Sequence, residues 1–436
     1  MSVTVFKRFC GTLLLLLLLL PALQAKLRWA PEASLNGAFE LAPRIKFSIA
    51  GLTENSFQPA LERYLEDRIG FRGFLIRLRN QLGYSVFRES WANHMVVGRH
   101  RVLFEREYID AYLGTDYVGD EEVRFNTRRL RLVQDSLARH GVPLVFIIAP
   151  SKATFMPENM PTAARQQASA RARRTNYDAY ARALPAAGVH VLDMSRAFRR
   201  WKPTAPHPLF TTGGTHWSMY GGMRAADTLQ TYLRQVLGVR PVPFQVTGTE
   251  LTTSPRDTDD DITKTLNLLV VPHTEELAYP SLDFRPNPAD PPAPNLLLIA
   301  DSFGWTWVYN NFFSKSFSEK SHYWYYNWTI ARPENPPQGP DIIKYKNRQQ
   351  YLGRDVIVVM FNELNLKEFD KGFSRELFNI FCPYHPADYT RYAALIAEQR
   401  TKATWEESAQ EGFEHRITEV ANAILDRERV VELLGK

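Results

Sequence analysis

Apolar positions along this chain alternate between short solid runs and helical spacings. Val142–Ile148, Leu296–Ala300 and Val356–Phe361 are almost wholly apolar. Each has the length of a strand covered on both faces. Helical spacing fills much of the rest. It runs over Leu61–Arg68, is broken by Gly70, and resumes over Leu75–Phe87. Glu121–His140 follows and stops at Gly141, then Arg165–Leu184, and later Met219–Leu237 closed by Gly238. Val189–Leu192 is a further short strand ending at Asp193, and Val96–Phe104 reads as a hairpin turning at Gly98. The strand–helix–strand rhythm predicts an α/β fold with a largely parallel sheet and crossover helices. Residues 240–295 are rich in proline, threonine and acids, which predicts an excursion over the surface. Tyr389–Leu434 is strongly helical. The expected organisation is a leader over 1–25, a mixed region over 26–115, the main domain over 116–375 and a helical extension over 376–436.

The leader changes the picture most. Lys7 and Arg8 precede the run Leu13–Leu20, and small residues follow up to Ala25. This is the layout of a secretory signal, or of an uncleaved signal anchor, and it places the protein in the periplasm or at the inner membrane. The run is short beside the ~20 apolar residues of an ordinary span. Cys10 precedes the run and so does not suit a lipoprotein site, and Cys382 would be left alone, unable to form an internal disulfide. No thiol or zinc chemistry is expected, and neither cofactor nor metal. Net charge is +6, and the basic run Arg171–Arg174 reads as a solvated helix face with no nucleic-acid motif beside it. Such a balance suits an anionic polysaccharide or a membrane surface.

Candidate chemistry gathers at strand ends. Ser302 directly follows Leu296–Asp301, at the carboxyl edge where open α/β sheets present reactive groups. The bland alternative is a helix N-cap. His216 stands between a Gly-Gly-Thr turn and a helix start, flanked by Trp217. A neutral imidazole there can take a proton from a hydroxyl. Asn362 and Glu363 end the Asp355–Phe361 strand, and an amide in that place either donates to an oxyanion or caps the next turn. Asp257–Asp261 invites a calcium reading but lacks the glycine and distal glutamate of an EF-hand loop, so a helix N-terminus is the better expectation. The aromatic run at 323–328, with Tyr323 and Trp324, either stacks on sugar faces or packs into the core.

Three of these motifs together resemble the SGNH hydrolases: Ala300-Asp301-Ser302, Met360-Phe361-Asn362-Glu363 and the His216 block. The order, with Thr215-His216-Trp217 before Asp301-Ser302-Phe303, is similar to the periplasmic alginate O-acetyltransferase family. So are Ala149-Pro150-Ser151-Lys152, Met156-Pro157-Glu158, Val97-Gly98-Arg99 and Leu103-Phe104. The resemblance implies an SGNH-like, circularly permuted sheet with flanking helices. It also implies acetyl transfer onto an exported polysaccharide through Ser302 and His216, beside a membrane-bound O-acyltransferase partner; Trp217, Tyr323 and Trp324 are the candidate sugar contacts, with core packing the alternative for the aromatic run. One departure stands out. The family reads Asp-x-His-Trp, and Gly214 occupies the Asp position. Either Asp193, Asp301 or Glu363 orients His216, or a Ser–His dyad works alone, or the chain only binds glycan. A carbohydrate esterase is the nearest enzymatic alternative.

Overall fold

The computed structural model describes residues 3–434 apart from 38, 39, 93, 171–173, 340, 409 and 411. Its strands are β1 (Met95–Val97), β2 (Leu103–Glu105), β3 (Leu144–Ala149), β4 (Val191–Asp193) and β5 (Phe244–Thr252). They continue with β6 (Leu277–Phe284), β7 (Leu296–Ala300), β8 (His322–Tyr325), β9 (Thr329–Arg332) and β10 (Val356–Asn362). The three solid apolar runs are three of the four inner strands of a six-stranded sheet ordered β4-β3-β10-β7-β8-β9. All neighbours pair in parallel except the edge strand β9. Period-2 alternation sends successive side chains to opposite faces, and both faces are covered. Val145, Leu298 and Val358 enter one core with Trp217, Phe303 and Trp307. Phe146, Ile299 and Val359 enter the other with Leu130, Tyr180 and Phe369. Register sets Ala149 opposite Asn362 and Met360 opposite Ala300, so β3, β7 and β10 end along one edge.

Three segments converge on that edge. The antiparallel pair β1–β2 donates the Leu103 N–H to Thr212 O at 2.9 Å. The excursion over 240–295 contains the antiparallel pair β5–β6, with a register shift at Val246–Gly248. Its tip turns back across the body as a short helix, Asp261–Thr265. That helix end is held by the N-terminal region, where buried Asn80 donates to Leu266 O at 2.8 Å and Asn36 to Lys264 O at 3.0 Å. Asn80 belongs to the helix Arg72–Leu82.

The helical spacing over 165–184 resolves into two helices, Thr162–Ala170 and Asn176–Ala186. Arg171–Arg173 of the basic run lie outside the described residues, and Arg174 pairs with Asp120. The C-terminal helices Pro386–Lys402 and Phe413–Leu434 share a small core of Leu395, Ala421 and Leu425. Val3–Leu27 is one helix, long and apolar enough to cross a membrane by length and composition. Its last turns meet the body: the Gly70 N–H donates to Pro21 O at 3.1 Å, and Gln24 is buried.

Candidate active site

Ser302 begins a single 3₁₀ turn directly after β7, with Trp305–Tyr309 helical beyond it. Asp301 builds that turn. Its fully buried carboxylate accepts the N–H groups of Phe303 at 3.1 Å and Asn362 at 2.6 Å, and the Asn365 amide at 2.8 Å. Ser302 is thereby fixed at the sheet edge with its hydroxyl outward.

His216 arrives from the other side. Phe210 and Trp217 form an isolated bridge, and Ser218 caps the helix Met219–Gln235 by accepting the Gly221 N–H at 3.0 Å. The loop between carries the imidazole to Ser302, with Nε2 2.7 Å from Oγ. On the far side of the ring, Nδ1 lies 2.6 Å from Asp261 Oδ2. The other Asp261 oxygen accepts the N–H groups of Thr215 at 2.7 Å and Ile262 at 2.8 Å. Serine, imidazole and carboxylate thus form one hydrogen-bonded line, in the arrangement that lets a histidine deprotonate a serine while an acid fixes its tautomer. Electrostatics agree. Burial disfavours the Asp261 charge, but the His216 ring and the two N–H groups overcome it and hold the carboxyl below its ordinary value. Burial likewise disfavours the imidazolium, yet Asp261, then Asp301 and Glu105, raise the His216 pKa above its ordinary value.

A family model described as the SGNH hydrolase-like domain of the acetyltransferase AlgX matches residues 95–318, just over half of the 436 residues. The chain belongs to this family. The probable alginate O-acetylase AlgJ of Azotobacter vinelandii is 27% identical over 191 residues, 44% of this chain and 46% of that protein. The alginate biosynthesis protein AlgX of Pseudomonas aeruginosa is 27% identical over 150 residues, 34% of this chain and 30% of that protein. The chain therefore spans less than half the length of these curated relatives. The solved O-acetyltransferase domain of Pseudomonas putida AlgJ aligns with a TM-score of 0.43 at 21% identity, over 65% of this chain and 98% of that one. Ser302, His216 and Asp261 fall inside the AlgX-family match.

None of the three acids expected to orient His216 does so. Asp301 is occupied by the turn. Asp193 caps the helix Met194–Trp201 through the Arg196 N–H at 2.8 Å and accepts from the Tyr177 hydroxyl. Glu363 is buried between Thr154 and Ser195, and burial pushes its carboxyl up to about 7 against those two hydrogen bonds. Position 214 could not carry an acid in this fold. A Cβ on Gly214 would stand 2.7 Å from Thr258 O, 2.8 Å from Thr211 Oγ1 and 2.9 Å from Asp259 O. The segment filling that space is the one that delivers Asp261. The expected helix N-terminus at 257–261 does begin a helix, but its last acid is turned to the imidazole. Its one sequence signal was an acid run in an otherwise featureless excursion.

Asn362 is also elsewhere. Its amide donates to Pro150 O at 2.6 Å and its side-chain oxygen accepts the Leu364 N–H at 3.0 Å, so it caps the β10 turn and ties β10 to β3. The N–H groups of Phe303 and Gly304 are taken by Asp301 as well. The polar side chain that does reach Ser302 is Tyr326, whose phenol interacts with Ser302 and Asn365. Tyr326 and Asn327 both adopt left-handed backbone, at φ 53° and 59°, a conformation that non-glycine residues hold only under tertiary constraint. Burial and then the Asp301 charge push the phenol pKa up, which keeps it protonated.

The aromatic expectations invert. Trp217, Tyr323 and Trp324 are each 0% exposed. Trp217 donates to Thr306 Oγ1 at 3.0 Å and Tyr323 to Asp301 O at 2.6 Å. A strand covered on both faces leaves only its end in the open, so the surface aromatics are those at and beyond the strand end, Tyr325, Tyr326 and Trp328, together with Trp305 and Tyr309. Tyr326 stacks on Trp328 at 5.6 Å and Trp305 on Tyr309 at 6.0 Å.

Lys152 completes the site from beneath. Fully buried, it donates to Thr212 O at 3.0 Å and Gly214 O at 2.7 Å. Burial pulls its pKa down to about 7, against the attraction of Asp261, Glu275 and Glu105. Glu275 accepts the Thr212 N–H at 2.6 Å and Glu105 accepts from the Thr215 hydroxyl. The His216 loop is thus clamped by one cation and three carboxylates. Among the described residues no group of His, Cys, Asp and Glu forms a metal cluster.

Proposed function

We propose that this chain is a serine acyltransferase that moves acetyl groups onto hydroxyls of an exported polysaccharide, with Ser302 as nucleophile, His216 as base and Asp261 as the orienting acid. The observation that carries the reading is the unbroken line from Ser302 Oγ through His216 to Asp261, at 2.7 and 2.6 Å. Membership of an acetyltransferase family supports the reaction class.

The steps follow from the residues. His216 Nε2 takes the Ser302 proton as Oγ attacks the acyl carbonyl carbon. The oxyanion of the tetrahedral intermediate is stabilised by the Tyr326 phenol. Collapse expels the donor's leaving group, which takes the proton from His216 and leaves acetyl on Ser302. A sugar hydroxyl then gives its proton to His216, attacks the acetyl-serine and carries the acetyl away, and the proton returns to Oγ. Asp261 keeps the Nδ1 proton in place throughout. The ledge of Trp305, Tyr309, Tyr325 and Trp328 beside Ser302 suits sugar faces, which stack on aromatic rings. The protein works on the periplasmic side of the inner membrane, beside a membrane-bound O-acyltransferase that supplies the acyl group. The binding-only alternative rested on the missing acid at 214, and Asp261 removes that reason for it.

The test follows acetate release from an activated aryl acetate, and acetyl transfer to glycan oligosaccharides, by the full chain in detergent. Loss of both in Ser302→Ala and His216→Ala is expected. Equal rates in wild type and Ser302→Ala would overturn the mechanism. Hydrolysis without transfer to any glycan would favour the esterase.

A further inference from the structure

We propose that the helix Arg72–Leu82 lies in the membrane interface, with its apolar face in the same bilayer that holds the first helix. The helix carries Phe74, Leu75, Leu78 and Leu82 at i, i+1, i+4 and i+8, one stripe of a 3.6-residue repeat, with Phe71 just before it at the N-cap. In a water-soluble domain such a stripe faces a core. Here it faces outward: Phe74 is 50% exposed, Leu75 40%, Leu78 38% and Leu82 47%. Val270 and Val271, which join this region through the Gln81 side chain bonded to the Val270 N–H, are 68% and 66% exposed. Scattered apolar residues on a surface mean little; a continuous stripe on one helix does.

What covers the stripe is read from its depth. A cavity of about 630 Å³ is lined by Leu17, Leu20 and Pro21 of the first helix and by Phe71, Phe74 and Leu75, with Glu32 and Arg77 on its polar side. Leu17 and Leu20 belong to the apolar run Leu13–Leu20. When that run is in hydrocarbon, Phe74 and Leu75 stand beside its C-terminal end, across the cavity from Leu17 and Leu20. The run is also short. Within the helix Val3–Leu27 the stretch free of charge, residues 9–25, rises about 25 Å at 1.5 Å per residue, against about 30 Å of hydrocarbon. A short span draws the bilayer surface toward the body, and the stripe supplies apolar area at that end. Trp29, 51% exposed and edge-on to Phe71 at 6.2 Å, is placed as an interfacial aromatic. The first helix stays attached in this arrangement, because Pro21 and Gln24 are built into the body around Gly70 and Ala30.

The test uses the full chain in phospholipid nanodiscs with no other protein. Cys10 and Cys382 are changed to serine, and a bimane fluorophore is placed in turn at Leu17→Cys, Leu78→Cys and Val431→Cys. Nitroxide lipids labelled near the headgroup are then introduced. Quenching of about half the emission or more is expected at 17 and at 78, with no change at 431, which is exposed on the far C-terminal helix. An unquenched probe at 78 overturns the proposal, whatever happens at 17. If 17 alone is quenched, the stripe belongs to a protein partner instead.

Discussion

In the proposed mechanism the orienting carboxylate comes from Asp261, 45 residues along the chain from His216, rather than from position 214. Asp261→Asn keeps the shape and removes the charge that holds His216 in one tautomer. The expected loss in kcat is about 10⁴-fold by serine-protease precedent. Catalysis needs neutral His216, and the folded ring has its pKa raised, so wild-type rate falls as pH drops through a value above the ordinary 6.5. In Asp261→Asn that acid limb moves to lower pH; a pH–rate profile of both proteins checks it. Adding Gly214→Asp to that variant restores nothing, since the new Cβ meets two backbone carbonyls, and thermal midpoints should fall further. Tyr326→Phe removes one hydroxyl beside Ser302. We expect kcat to drop 10- to 1000-fold with KM little changed, measured by aryl acetate kinetics. Ser302 and His216 were legible because a strand end and a glycine turn announce themselves locally. Asp261 was not, because only the fold brings it across 45 residues to His216. Tyr323 and Trp324 were misread because sequence shows an aromatic run but not where the strand stops.

At the scale of elements, three of the four inner strands could be read from their apolar runs, since a doubly covered sheet admits almost nothing else there, whereas β8 was hidden in an aromatic run. The excursion over 240–295 could not. Its composition is that of solvated chain, and its purpose lies in what its tip touches. The His216 loop has the same character, its shape set by Lys152, Glu105, Glu275 and Asp261 from four separate segments. Lys152 gives this clamp a pH signature. Its folded pKa is lowered from 10.5 to about 7, so between those values the native protein binds fewer protons than the unfolded chain. This group's contribution therefore rises with pH across that window. Lys152→Met should abolish that rise: the thermal midpoint of wild type relative to Lys152→Met increases from pH 7 to pH 9 in detergent.

At the scale of the whole molecule, the sheet with its two cores is self-sufficient, while the site at its edge is not. The Asp261 helix leans on Asn80 and Asn36, both from the region joined to the first helix. A shortened protein comprising residues 89–436 keeps every strand yet loses those supports. We expect it to fold, to bind aryl acetate as before and to turn over at least tenfold more slowly, whereas the full chain with Leu78→Ser retains its rate. Stopped-flow comparison of the two decides this. The Asn80–Leu266 hydrogen bond thus runs between the region joined to the first helix and the helix that begins at Asp261. If the first helix holds the proposed enzyme in the inner membrane, its loss acts as a safety catch, leaving a chain released by proteolysis idle rather than free to acetylate whatever sugar it meets.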